Sequence, residues 1–161
     1  MRGFRSAGGF SLVEIVMVIL IISLTLAVSY PLLSRGSASL HLRASGRDVL
    51  NLMRYAREKA ITEQTGMMVL VDRGAGKLVL SSDLGQGVHS LVLPKDVKID
   101  RLVFSGQEVL QGPLMIHFLS NGSSDSAELL LVADNGALLK VFTDPITGGA
   151  RIKLGSGETS P

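Results

Sequence analysis

Glu14 occupies the least ordinary setting for a reactive group in this 161-residue chain. It closes the stretch Gly9-Phe10-Ser11-Leu12-Val13-Glu14, and the apolar run continues to Val28. A charge in hydrocarbon costs several kcal/mol on insertion scales, so one kept there marks function. The chemistry open to it is electrostatic, because a cation brought alongside removes much of the penalty of both charges. Other candidate groups form no pattern. His41, His89 and His117 lie far apart in sequence and lack ligand spacing. His117 alternates with Ile116 and Phe118 and is expected to point off a strand. With no Cys there is no thiolate metal site and no disulfide framework. Gly74-Ala75-Gly76-Lys77 is too short for a phosphate loop and reads as a turn. Ser123 and Ser124 have no His or Asp partner at a recognisable motif. No catalytic residue, metal site or cofactor is expected, and the chain does not read as an enzyme.

The elements around Glu14 are a short basic leader with Arg2 and Arg5, then Gly9, then the apolar run. An ordinary secretory signal would place its core over Leu12 to Val28 with cleavage near Ser29, but that core is long and leaves Glu14 without purpose. A plain anchor is a second reading, since Phe10 to Tyr30 as a helix spans about 31 Å. The Gly-Phe-x-x-x-Glu spacing fits neither. It resembles the class III signal of type IV pilins and type II secretion pseudopilins.

That resemblance implies a leader over 1–9, cut by a prepilin peptidase between Gly9 and Phe10, with the new Phe10 amine N-methylated by the same enzyme. It implies a helix over 10–33 that spans the inner membrane and later joins the core of a filament beside other pseudopilins, with Glu14 pairing a neighbour's amine. It further implies a globular domain over 34–154 on the periplasmic side. Counting cations alone would not fix that orientation, because Arg35, Arg43 and Arg47 flank the far end. Pro31 stands where family members kink the helix. A proline removes a helical hydrogen bond and clashes with the preceding turn, so a bend or local melting is expected there.

Beyond Pro31 the pattern becomes amphipathic. Leu42, Val49, Leu50, Met53, Ala56, Ala60 and Ile61 recur at three- and four-residue steps, predicting a helix to about residue 65 with one core face. Arg54 and Arg57 are expected on a solvated face. Gly36 and Gly46 weaken the helix locally, by about 1 kcal/mol each against Ala. From Gly66 the period changes to short aliphatic segments: 67–72, 77–82, 90–93, 97–104, 114–119, 127–133, 138–143 and 150–154. Gly74-Ala75-Gly76 and Asn135-Gly136 predict tight hairpins. The stretch 83–113 is the least regular, and a mobile loop or sheet edge is expected there. Residues 155–161 read as a flexible tail. The predicted class is α+β, type IV pilin-like: a long N-terminal helix packed on antiparallel sheet.

Two later stretches narrow the resemblance to the GspH/FimT group of minor pseudopilins and minor pilins. One is Leu50-x3-Arg54-Tyr55-Ala56-Arg57-x2-Ala60-Ile61 leading into Met68-Val69-Leu70-Val71. The other is Phe118-x3-Gly122-Ser123-Ser124 with Thr147-Gly148-x2-Arg151. Leu119-Ser120-Asn121 departs from relatives, which carry aromatic, proline and aspartate residues there. The implied function is that of a structural H-type minor pseudopilin of a type II secretion system. The alternative is a FimT-like minor pilin that binds DNA through Arg151, Lys153 and Lys140. Phosphate binding needs clustered cations. Residues 121–161 hold three Lys and Arg against five Asp and Glu, which argues against nucleic acid as a partner.

Overall fold

The structure, a computed structural model, describes residues 11–83, 85 and 87–155, and for 27–36 and 88 the backbone alone. The leader, Gly9, Phe10 and the end of the tail lie outside the described residues. Two units are distinguished, residues 1–36 and 37–161.

In the first unit, helix α1 (Leu12–Glu63) begins with Glu14 in its first turn. The side chains of 11–26 are all exposed. Ser23 and Thr25 return their hydroxyls to the carbonyls of Ile19 and Ile21, at 2.7 and 2.8 Å. The helical assignment runs through Pro31 without a break.

In the second unit, α1 presents one stripe to a core. Ala38, Leu42, Ser45, Val49, Leu52, Met53, Ala56 and Ala60 are buried, stepping by three or four residues apart from the adjacent pair Leu52 and Met53. Leu50 is half-buried against the same core, while Ile61 is exposed, a correction to the expected face. Ala38, Ser45 and Leu52 join the stripe.

The sheet part comprises β1 (Met67–Asp72), β2 (Lys77–Ser82), β3 (Gly87–Val92), β4 (Val97–Phe104), β5 (Gln107–Glu108), β6 (Leu114–Phe118), β7 (Ala127–Ala133), β8 (Leu138–Thr143) and β9 (Ala150–Gly155). They form two antiparallel sheets, ordered β3-β2-β1-β6 and β5-β4-β7-β8-β9. Strict alternation of burial in β1, β6 and β7 shows each sheet turning one face to the core. Fully buried Phe118 lies in the same core as the α1 stripe. Residues 83–113 supply two edge strands, β3 and β5, along with β4. The last strand reaches Gly155, one residue past the expected segment and the first residue of the expected tail.

Two local features depart from simple alternation. In β4, Ile99 pairs with Leu131 and Arg101 with Leu130, leaving Asp100 as a bulge. Lys98, Asp100 and Arg101 therefore all face out while Val97, Ile99 and Leu102 face in. At the β7–β8 hairpin, Asn135-Gly136 is not a two-residue turn. Gly136 alone of the pair has positive φ, at 82°. Its N–H reaches Ala133 O at 2.8 Å, and Ala133 N–H reaches Ala137 O at 3.0 Å. That is a three-residue loop closed by a glycine bulge, the next commonest hairpin solution.

Candidate functional site

Glu14 is exposed, and its backbone N–H bonds Ser11 O at 2.9 Å. An acidic group in the first turn is favoured by the helix dipole. Around it Leu12, Val13, Ile15, Val16 and Met17 are each at least half exposed. A lone helix that is apolar on every side needs cover from outside itself, either lipid or other helices. Glu14 is thus a carboxylate set into a surface that demands burial. Among the described residues, no helix is long and apolar enough to cross a membrane.

The two late motifs meet. Gly148, at φ 61°, lies so close to the 119–124 loop that a Cβ there would stand 2.1 Å from Gly122 O. Only glycine permits that approach of backbone to backbone. Arg57 Nε donates to the same Gly122 carbonyl at 3.1 Å, so Arg57 is half-buried and clamps the loop instead of lying on a solvated face. The Ser124 hydroxyl lies 3.1 Å from Asp125 O and 3.4 Å from Asp144 O. Thr143, buried, ties the same junction through its hydroxyl to Asp125 O at 2.7 Å. Asp144 accepts N–H bonds from Ile146 and Thr147, at 3.0 and 3.1 Å. Those bonds, with Arg151 nearby, hold its carboxyl below the usual carboxylate range. The junction is a fastening of α1 to two loops.

No triad forms here. His117 Nδ1 pairs with Asp125 Oδ2 at 2.8 Å, while Ser124 faces main-chain carbonyls. His41 pairs with Asp96 at 2.6 Å, far from both in sequence. Among the described residues, no group of three His, Cys, Asp or Glu side chains could hold a metal ion. The three candidate DNA contacts are neighbours on β8 and β9, with Lys140 directly opposite Lys153 and Arg151 two residues before Lys153. Lys140 is paired with Glu128 at 2.7 Å, and Arg151 sits on the edge strand β9 beside the Asp144 loop.

Against solved structures, this arrangement aligns with the minor pseudopilin EpsH of the Vibrio cholerae type II secretion system. One EpsH structure aligns with a TM-score of 0.60 at 16% identity, over 74% of this chain and 97% of that one. A second gives 0.57 at 16% identity, over 71% and 97%. The chain has a type IV pilin-like fold of the GspH kind. The Pseudomonas aeruginosa type IV minor pilin FimU aligns with a TM-score of 0.47 at 14% identity, over 74% of this chain and 92% of that one. No protein-family model matches the chain, and no curated protein sequence does. Within the GspH-like fold, the Arg57–Gly122–Gly148 fastening was missed by sequence reasoning. An arginine on an amphipathic helix looks solvated unless its loop partner is known, and the only signal was the pair of glycines.

Proposed function

We propose that the chain is a structural H-type minor pseudopilin of a type II secretion system. The observation that carries this is the coincidence of two independent features. The globular part shares its fold with EpsH over 97% of that chain, and Gly9-Phe10-x3-Glu14 stands ahead of it at the start of an apolar helix. In this reading the 1–9 leader is removed after Gly9, Phe10 is methylated, and the 10–33 helix holds the subunit in the inner membrane. The 34–154 domain then lies in the periplasm. Assembly moves the apolar helix from lipid to a bundle of similar helices. Lipid tails are as apolar as leucine, so burial alone drives that step weakly. Glu14 supplies the specific term by pairing with the Phe10 amine of a neighbour, which also fixes axial register.

Mass spectrometry of the membrane-inserted chain should find a mature start at methylated Phe10. A retained Met1, or a start near Ser29, would overturn the leader. Glu14→Ala should still be inserted and cleaved, because the change makes the helix more apolar. It should be lost from the sheared filament fraction, with Glu14→Asp intermediate. Normal incorporation of Glu14→Ala would remove the assembly role.

A further inference from the structure

A β-sheet edge is a row of unpaired N–H and C=O groups, and proteins usually blunt it with charge, proline, brevity or cover. Of the four edges, three are blunted. Strand β5 has only two residues. Strand β9 carries exposed Arg151 and Lys153. Strand β6 is covered by its own following loop: Asp125 N–H bonds His117 O at 3.0 Å, and Asp125 Oδ2 accepts His117 N–H at 2.9 Å.

Strand β3 has none of these devices. It is six residues long, Gly-Val-His-Ser-Leu-Val, without Lys, Arg, Asp, Glu or Pro. Among the described residues, no backbone hydrogen bond outside its ladder with β2 reaches it.

A groove of about 410 Å³ opens beside this edge, between His89 and Leu91 of β3 and Asp48, Asn51, Leu52 and Tyr55 of α1. The helix residues are spaced 3, 1 and 3 apart, which is one face of a helix. His89 and Leu91 pair with Leu80 and Leu78, both fully buried, and so belong to the core-facing side of the sheet. The helix therefore overhangs the sheet, and the sheet is one strand too narrow to fill the space beneath it. Tyr55 is left 46% exposed at the rim. The groove's charge is a single carboxylate. Asp48 makes no ion pair among the described residues, and no Lys or Arg lines the groove.

We propose that the free edge of β3 takes an extended segment of a partner protein as an added strand. Its inward side chains enter the groove under Asp48–Tyr55: an aliphatic residue against Leu52, Tyr55 and Leu91, and two positions along a Lys or Arg against Asp48. Main-chain bonds to an open edge supply affinity, and alternate side chains in the groove supply selectivity. Only residues two apart share a strand face, which sets that spacing. The inference does not depend on the secretion role.

The test uses the full chain in detergent with two blocked synthetic peptides, Thr-Val-Thr-Lys-Thr-Val-Thr and the same sequence with Glu for Lys. The Lys peptide should slow hydrogen exchange of the Gly87–Val92 amides and bind more tightly than the Glu peptide. Asp48 is exposed, so Asp48→Lys should fold normally by circular dichroism and reverse the preference between the peptides, weakening the Lys peptide about tenfold. Three results would overturn the proposal: no slowing at β3 up to millimolar Lys peptide, equal binding of both peptides, or no effect of Asp48→Lys. Protection of β3 without peptide, together with a dimer mass, would overturn it in favour of a second copy of this chain.

Discussion

The stretches 12–26 and 38–60 of α1 lie in one helix by assignment, yet they solve opposite problems. The first has no polar face, and its largest side chains, from Leu12 to Leu26, stand exposed among the described residues. The second confines its burial to a stripe from Ala38 to Ala60 and leaves Arg43, Arg47, Arg54 and Glu58 in solvent. Helical periodicity is thus a property of the surroundings: a one-sided sheet core selects a stripe, while an environment apolar on all sides selects none. Polar residues follow the same division. Ser23 and Thr25 bond carbonyls of their own helix, whereas Arg57 reaches across to a loop carbonyl.

The sharpest way to break this contrast is to make matched changes in the two stretches. Met53 is fully buried. Met53→Asp should cost several kcal/mol, enough to unfold a marginal domain, by leaving a charge in the core without a partner. Leu20→Ala should leave the unfolding of the β-sheet signal unchanged, because Leu20 supports nothing in the sheet core. The check is thermal unfolding followed by circular dichroism in detergent. Equal effects of the two would abolish the distinction.

A smaller effect is expected at Gly46. A Cβ there would lie 2.6 and 2.8 Å from the δ carbons of Leu139, which is itself buried. Alanine would gain about 1 kcal/mol of helix propensity. Overpacking costs about 1–3 kcal/mol, so Gly46→Ala should destabilise by up to about 2 kcal/mol. Leu139→Ala makes room for the new methyl. Denaturant unfolding of the double variant should therefore show less loss than the sum of the singles. Strict additivity would mean that the close approach carries no energy.

The smallest expected effect is at Asp144. Its carboxyl is held low by the Thr147 and Ile146 N–H groups and Arg151. The stabilisation is therefore present above the ordinary carboxylate pKa and lost as pH falls through the depressed folded value. Asp144→Asn should lower stability slightly at pH 7 and flatten the acid-side decline. Parallel pH profiles of the two proteins would show that the loop does not depend on this charge.

Much of the sheet was legible because alternation and turn residues agree. The segments at 67–72, 77–82, 97–104, 127–133 and 138–143 coincide with β1, β2, β4, β7 and β8. The misses have physical causes. Strand β3 begins earlier than its apolar residues suggest, because a register shift opposite Leu80 and Ser81 draws Gly87 into the ladder. Asn135-Gly136 names a turn but not its length, which the strand register decides. Gly46 looked like a weak helix position, and only the proximity of Leu139 gives it a role. Of the candidate site, Gly9 and Phe10 lie outside the described residues. Glu14 stands out from hydropathy alone, because a carboxylate among aliphatics needs no fold to be noticed, and its role is the proposal made above. Arg57 and the β3 edge were not legible, since both depend on which loop or strand is absent or present opposite them.

The bulge at Asp100 makes β4 a strand of two parities. Before it, Val97 and Ile99 face the core from odd positions; after it, Leu102 does so from an even one. Asp100 is thus the extra residue that the bulge absorbs. Without the bulge, the same residues in plain alternation would turn Arg101 toward the core and Leu102 toward solvent, whereas deleting Asp100 would keep Arg101 out and Leu102 in. The facing of Arg101 and Leu102 therefore rests on a backbone irregularity, a dependence that substitution of side chains one at a time would not reveal.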